Sequence, residues 1–303
     1  MSNQVLTLLD GRQLGYAVEG EGKPVVYFHG TASSRLEIML LTKFATEKQF
    51  KLIGVDRPGY GLSTFMNRLK LRDFCADVNA LADHLDLQRF AVLSWSGGGP
   101  FALTYVALNP NRVTHALAVG CPALPFDPSS AHNNNPLAKY AMKAPFLAKW
   151  ALGMFRKSVL NANQDIEAYL KSRSGKSMVA SWPKPDASFF EDPKWLKLMY
   201  AAMAEGFKQN SNSINAIYQE HRLFMQPWTE LIEQIPAGKL TLWQGAQDKT
   251  CPEVNAQKIA HIAKGTHIKV FPDEGHCVMF ANTESLAKEL NNEIPLVSKP
   301  QKD

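Results

Sequence analysis

The chain has 303 residues, 45% of them hydrophobic and 20% charged, a composition typical of a globular protein with one large core, or with a core and a smaller second domain. Its formal net charge at pH 7 is +5, and the excess of Lys and Arg is concentrated between residues 139 and 208. Because no nucleic-acid-binding motif accompanies this basic segment, we expect no nucleic-acid partner and interpret the segment as a solvated surface.

The first 121 residues alternate between strand-like and helix-like segments. A hairpin around Asp10 and Gly11 is predicted first. The segments that follow are strands at residues 25–28, 52–56, 90–93 and 116–120, and helices at residues 36–50, 71–85 and 100–108. This alternation predicts an α/β fold with a mostly parallel central sheet and helices on both faces.

Residues 94–99, Ser-Trp-Ser-Gly-Gly-Gly, join the third of these strands to the third helix. Small residues on both sides of Ser96 allow the backbones of the strand and the helix to pass close together. A serine in such a turn is typical of the nucleophile elbow of serine hydrolases, although taken alone the pattern also fits a plain strand–helix corner. Ser96 is therefore a candidate nucleophile.

The alternation stops after this first half. Between residues 122 and 236 the sequence is rich in Trp, Phe, Met and Lys, and it has helix-like periodicity without a convincing strand. We expect this segment to be a helical cap inserted into an α/β core that is formed by residues 1–121 and 237–303.

An amphipathic stretch lies within this segment, at residues 145–160. A helix of this kind covers an apolar pocket or lies on a membrane surface, and we favour the pocket. Trp150 and Met154 from this stretch, and Trp95 from the elbow, are therefore candidate residues of a substrate pocket.

Two further strands follow the insertion, each ending in a candidate catalytic residue. The predicted elements are a strand, a helix and a strand, at residues 239–243, 252–262 and 267–271. Asp248 lies just beyond the first strand and His276 just beyond the second, at the sheet edge where such folds place their active sites. A serine needs a base to remove its proton and a third group to orient that base. We therefore predict a catalytic triad of Ser96, Asp248 and His276.

Asp127 is the alternative acid, because some hydrolases of this type carry the carboxylate after the strand that follows the elbow helix. The other histidines lie too early in the chain, within or beside regular elements, or in the insertion. His276 alone has the right order and placement for the base.

The strand at residues 25–28 runs into His29, Gly30 and Thr31. We predict that the backbone N–H groups of Thr31 and Gly97 form an oxyanion hole, which would stabilise the negative charge of a tetrahedral intermediate. The alternative is that His29 and Gly30 only turn the chain.

Together these motifs resemble the α/β-hydrolase superfamily, in the branch with a cap inserted into the core. The matching segments span nearly the whole core and are His29-Gly30-Thr31, residues 56–61, residues 94–100, Gly245 with Asp248, and Gly275-His276. The elbow has Ser94 where the usual motif has glycine. Epoxide hydrolases and haloalkane dehalogenases share the layout but use Asp at the elbow, so Ser96 argues against both.

The expected activity is that of a carboxylesterase-type serine hydrolase. In this scheme His276 takes the Ser96 proton, Ser96 attacks an ester carbonyl, Asp248 stabilises the imidazolium, and water releases the acid from an acyl-enzyme. An apolar pocket favours small to medium apolar esters. The alternatives are a C–C bond hydrolase, a lactonase or an amidase with the same triad, or a non-catalytic small-molecule receptor or scaffold. The sequence makes no prediction of the oligomeric state.

Cysteine usage and the N-terminal residues bear on the compartment. The four cysteines have no CxxC spacing, no His/Cys cluster has the spacing of metal ligands, and residues 1–10 do not resemble a signal peptide. No stretch is long and apolar enough to span a bilayer. We therefore expect a cytoplasmic protein with reduced thiols, without stable membrane insertion and without a metal or cofactor.

Overall fold

An eight-stranded sheet forms the centre of the molecule in the computed structural model, which describes residues 2–123, 125, 144–189 and 191–291. In chain order the strands are β1 (Ser2–Thr7), β2 (Gln13–Glu19), β3 (Lys23–Phe28), β4 (Phe50–Val55), β5 (Phe90–Trp95), β6 (Val113–Val119), β7 (Leu240–Gly245) and β8 (His267–Phe271). Their order across the sheet is β1-β2-β4-β3-β5-β6-β7-β8. The pairs β1–β2 and β2–β4 are antiparallel, and all the other pairs are parallel. The predicted mostly parallel sheet is confirmed.

Helices cover both faces of this sheet. Within the described residues the α-helices are α1 (Thr42–Lys48), α2 (Leu71–His84), α3 (Gly99–Leu108), α4 (Pro145–Gln164), α5 (Ile166–Lys171), α6 (Arg173–Ser181), α7 (Lys184–Phe189), α8 (Pro193–Gly206), α9 (Ser211–Phe224), α10 (Thr229–Ile232), α11 (Val254–Ile262), α12 (Val278–Ala281) and α13 (Thr283–Asn291). Two short 3-10 helices span Arg35–Leu41 and Ser96–Gly98. None of the helices that the structure describes is long and apolar enough to cross a membrane.

Two apolar layers hold the helices to the sheet. On one face, Phe28, Phe74 and Phe101 pack edge to face, with ring centroids about 6 Å apart. On the other face, Trp95 and Phe280 pack in the same way at 5.1 Å. Fully burying a side chain of this size stabilises the fold by roughly 1.5–3 kcal/mol relative to leaving it exposed. The central strands are therefore apolar on both faces, and every residue of β5 and β7 is buried.

The parallel register brings the carboxyl ends of the central strands to one edge. Phe28 pairs with Ser94, Trp95 with Val119, and Val119 in turn with Trp243. The loops that follow β3, β5, β7 and β8 therefore begin at the same edge of the sheet, and these loops carry the predicted site residues.

The segment between β6 and β7 contains helices α4–α10 and no strand among its described residues. Helix α4 packs against α8 and α9, and α8 packs on the 3-10 helix Arg35–Leu41 of the core. The fold is thus an α/β fold with a helical insertion. The boundaries of a separate cap at residues 122 and 236 stay a prediction.

The predicted helix at residues 36–50 is wrong as a single element. The structure divides it into the 3-10 helix Arg35–Leu41 and helix α1, and Phe50 already begins β4. Gln49 ends α1 in the left-handed conformation, with φ 57°. The apolar periodicity of this segment therefore continues across a helix end that the sequence does not mark with glycine or proline.

Candidate active site

Ser96 lies in a strained turn at the end of β5. Its φ is +52°, a left-handed conformation that costs a residue with a side chain about 1 kcal/mol or more. The 3-10 turn Ser96–Gly98 leads directly into α3, and Ser96 is half-buried although Trp95 and Gly97 on either side are buried. The turn therefore lifts the Ser96 side chain out of the packed layer, at the edge where the strands end.

Asp248 and His276 form a buried hydrogen-bonded pair. His276 Nδ1 lies 2.7 Å from Asp248 Oδ2. The other oxygen of Asp248 accepts hydrogen bonds from the backbone N–H groups of Thr250 and Cys251, at 2.8 and 2.9 Å. Since a carboxylate can only accept, Nδ1 carries a hydrogen and Nε2 is the nitrogen left to accept a proton.

The pKa of His276 is raised above its ordinary value. Burial alone would lower it, but the carboxylate of Asp248, with smaller contributions from Asp186 and Glu37, outweighs burial and favours the imidazolium. Among the described residues no hydrogen bond joins the Ser96 hydroxyl to His276. Catalytic hydrogen bonds of this kind often tighten only in the complex with substrate.

Trp95 connects the elbow to the histidine. Its indole Nε1 donates to the backbone oxygen of His276 at 2.8 Å, and the two rings are tilted with centroids 5.1 Å apart. The predicted pocket residue Trp95 is therefore a buried neighbour of the imidazole. Of the other two predicted pocket residues, Trp150 is 62% and Met154 53% exposed on α4, and neither has a described contact with the triad residues.

Thr31 and Gly97 approach each other closely through their backbones. A Cβ added to Gly97 would lie 3.2 Å from the backbone nitrogen of Thr31 and would collide with the Thr31 hydroxyl. Only glycine leaves this space open. The two N–H groups that were predicted as an oxyanion hole thus belong to neighbouring backbone segments beside Ser96.

The loop that leads to Thr31 is held by buried charges. Arg57 donates to the backbone oxygens of His29 and Gly30, and its Nε lies 2.6 Å from Glu220 Oε1 on α9. His29 Nε2 accepts from the Arg57 backbone N–H at 3.3 Å, and its Nδ1 lies 2.8 Å from the Gly30 oxygen. Burial and the adjacent Arg57 lower the pKa of His29 well below its ordinary value, so this histidine is a neutral structural residue.

Three buried carboxylates at this edge are absent from the sequence-based predictions. Glu37 accepts from the Gly30 N–H at 2.9 Å and from the Tyr27 hydroxyl at 2.7 Å. Glu220 pairs with Arg57, and Asp186 accepts from the backbone of the His276 loop. Each stands in a helix-like segment with nothing in its spacing to indicate burial. The alternative acid Asp127 lies outside the described residues.

The cysteines near the site are buried thiols. Cys251 follows Asp248 in the chain by three residues, and Cys277 directly follows His276. Burial raises the pKa of both thiols well above the ordinary value. A neutral thiol is a poor nucleophile, so both side chains serve as small packing groups.

Comparisons with known proteins identify the family and the fold. A family model described as alpha/beta hydrolase fold matches residues 23–283. The chain is 32% identical over 114 residues to the uncharacterized hydrolase YcgS of Bacillus subtilis (strain 168), a match covering 37% of this chain and 40% of that protein. It is 24% identical over 290 residues to a non-heme haloperoxidase of Rhodococcus erythropolis, covering 94% of this chain and 97% of the other.

A solved structure gives the same result for the fold. An esterase from Exiguobacterium antarcticum superposes with a TM-score of 0.62 at 20% sequence identity, over 95% of this chain and 98% of that one. At this identity the likeness shows the fold alone.

Proposed function

The chain belongs to the alpha/beta hydrolase fold family, and we propose that within it this protein is a serine hydrolase that cleaves carboxylic esters through an acyl-enzyme. The observation that carries the proposal is the 2.7 Å bond between His276 Nδ1 and Asp248 Oδ2, at the sheet edge where Ser96 stands in a left-handed turn. A base oriented by a carboxylate beside a projecting serine is the arrangement that activates a hydroxyl for acyl transfer.

In the proposed first step, His276 acts as the general base. Its Nε2 takes the Ser96 proton, and Ser96 Oγ attacks the ester carbonyl carbon. Asp248 keeps the hydrogen on Nδ1 and stabilises the imidazolium, which agrees with the raised pKa of His276. The same proton then goes to the leaving alcohol, and a water molecule activated by His276 releases the acid.

We assign the developing oxyanion to the backbone N–H groups of Thr31 and Gly97. Donors that are already oriented toward this charge lower the barrier by roughly 3–4 kcal/mol each. A Cβ added to Gly97 would lie 3.2 Å from the backbone nitrogen of Thr31. The backbones of the two residues are therefore close together, which supports the assignment. Glu37 and Arg57 hold the Gly30 peptide at the start of this loop, so the loop position is fixed before substrate binds.

The aromatic surroundings of the base favour apolar substrates. Trp95 packs against Phe280 at 5.1 Å, and Phe280 packs against Trp195 of helix α8 at 5.3 Å. These three rings run from the elbow to the inserted helices. We therefore expect small to medium esters with an apolar acyl or alcohol part.

The test uses p-nitrophenyl esters of increasing acyl length. We expect Ser96→Ala to lower kcat by roughly 10³-fold or more, because it removes the nucleophile. Ser94→Ala is the matched control: the Ser94 hydroxyl is buried in β5 without a hydrogen-bond partner among the described residues, and its loss should leave turnover nearly unchanged. A fluorophosphonate probe should label the wild type and Ser94→Ala but not Ser96→Ala.

Three outcomes would contradict the proposal. Equal turnover in the wild type and Ser96→Ala would exclude Ser96 as the nucleophile. Labelling of Ser96 without turnover of any ester would exclude the carboxylesterase and favour C–C, lactone or amide cleavage by the same residues. No labelling and no turnover by folded protein would favour a receptor or scaffold.

A further inference from the structure

Asp186 is a buried carboxylate that the inserted helices bring to the catalytic edge. It lies in the first turn of α7 and is 1% exposed. Moving a carboxylate out of water costs several kcal/mol unless other groups compensate for the lost hydration. The contacts of Asp186 must therefore compensate for the hydration that its carboxylate loses.

Both oxygens of Asp186 bind the backbone of the histidine loop. Oδ2 accepts from the His276 N–H at 2.9 Å, and Oδ1 accepts from the Cys277 N–H at 2.8 Å. The approach depends on Gly275, since a Cβ at that position would collide with the carboxylate. Two bonds to successive peptide groups fix the orientation of the chain at His276, which one bond would not do.

The remaining polar groups of His276 are held from the core. Trp95 Nε1 donates to the His276 carbonyl oxygen at 2.8 Å, and Asp248 Oδ2 lies 2.7 Å from the ring Nδ1. The backbone nitrogen is the only one of these three groups that depends on the insertion. Asp186 thus completes the fixation of this residue from outside the α/β core.

The charge of Asp186 also acts on the imidazole. The charged groups facing His276 are Asp248 from the loop after β7, Asp186 from α7, and Glu37 from the 3-10 helix Arg35–Leu41, and all three favour the imidazolium. Cys277 is the adjacent titratable group, and burial together with Asp186 raises the pKa of its thiol well above the ordinary value, so it stays neutral.

We propose that Asp186 is a positioning residue of the general base. It ties the inserted helices to the backbone of His276 and so holds the imidazole in place. Its negative charge also favours the protonated imidazole during proton transfer. The inference rests on the proposed function of His276. It makes the insertion a part of the acid–base machinery.

The experiment compares Asp186→Asn with Asp192→Asn in the full-length protein. Asp192 is the matched control, an exposed carboxylate that caps helix α8 of the same insertion through the Lys194 N–H. For Asp186→Asn we expect kcat to fall by about 10²-fold, the loss typical of misplacing a catalytic group by about 1 Å. We also expect the ascending limb of kcat/KM to move to lower pH, because loss of the negative charge lowers the pKa of His276. Asp192→Asn should change neither.

The decisive readout is an NMR titration of the His276 ring protons without substrate. It does not depend on turnover, so it tests Asp186 even if the protein cleaves no ester. A shift to lower pH in Asp186→Asn together with the kcat loss supports the proposal. An unchanged titration overturns the proposal, whether kcat falls or not, because loss of a merely structural contact would not alter the protonation of the imidazole.

Asp186→Glu keeps the proposal testable if the Asn variant does not fold. The glutamate retains the charge but its longer chain displaces at least one of the two backbone bonds. We expect the His276 titration to stay close to that of the wild type while kcat falls by roughly 10-fold. Wild-type kcat in this variant would overturn the positioning role.

Discussion

Three polar groups of His276 have one partner each, and each partner comes from a different part of the fold. The ring nitrogen Nδ1 meets Asp248, the carbonyl oxygen accepts from Trp95, and the backbone N–H donates to Asp186. A residue held at three points loses little entropy when it enters the transition state. Nε2 has no hydrogen-bond partner among the described residues and is the ring nitrogen left to take up a proton.

Substituting Asp248 tests the orientation of the base. We expect Asp248→Asn to lower kcat by about 10⁴-fold, because the amide can hold the hydrogen on the wrong ring nitrogen. The ascending limb of the kcat/KM pH profile should also move to lower pH, since the carboxylate that raises the pKa of His276 is gone. Asp273→Asn is the control, an exposed carboxylate on the loop that carries His276. An Asp248→Asn profile identical to that of the wild type would exclude Asp248 as the acid.

At the scale of elements, helix α9 supports the loop that precedes Thr31. Glu220 on this helix is fully buried and accepts from Arg57 and from the Tyr60 hydroxyl. Burial opposes the charge on Arg57, but Glu220 outweighs it and raises the pKa of the guanidinium. Arg57 in turn binds the backbone oxygens of His29 and Gly30. The position of that loop therefore depends on an ion pair between the core and the insertion.

Removing one partner of this ion pair should destabilise the folded protein. We expect Glu220→Gln to lower the free energy of unfolding by about 3–5 kcal/mol, because Arg57 would remain charged and buried without its carboxylate. Urea unfolding followed by tryptophan fluorescence measures the change. Glu230→Gln on α10 provides the comparison. Glu230 is exposed, so its substitution should change the free energy of unfolding by less than about 0.5 kcal/mol. A Glu220 variant as stable as the Glu230 variant would contradict the structural role of the pair.

The sequence predicts the sheet and its edge well and the contacts between elements poorly. Apolar strands followed by glycine-rich loops place Ser96, Asp248 and His276 at one edge, because strand direction and chain order follow from local pattern. Asp186 lies between Pro185 and Ala187, 90 residues before its partner, and nothing local distinguishes it from a solvated carboxylate. Glu220 is likewise far in sequence from its partner Arg57, 163 residues away. Pairing across that distance is a property of the folded chain alone.

At the scale of the whole molecule, the insertion contacts both sides of the candidate site. Asp186 reaches the histidine loop, and Glu220 reaches the loop before the proposed oxyanion hole. Arg35 adds a third link, pairing with Asp56 in the core and with Glu205 on α8. Opening of the inserted helices would therefore disturb the candidate base and the proposed oxyanion donors together.

Hydrogen exchange can follow this connection directly. We expect the amides of His276 and Cys277 to exchange with the same dependence on denaturant as the amides of α8, because their acceptor lies in the insertion. Amides in the centre of β5 should exchange only through global unfolding and serve as the internal reference. If the amides of His276 and Cys277 exchange only through global unfolding, as those of β5 do, the core holds this loop without the contact from the insertion.

The left-handed turn at Ser96 has a consequence for the evolution and engineering of this chain. Glycine would occupy this conformation without strain, so a selection for heat resistance alone would favour losing the serine. The most stable sequence for this backbone and the most active one differ at that position. Thermostabilised variants should therefore be sought elsewhere in the molecule, with residue 96 held constant.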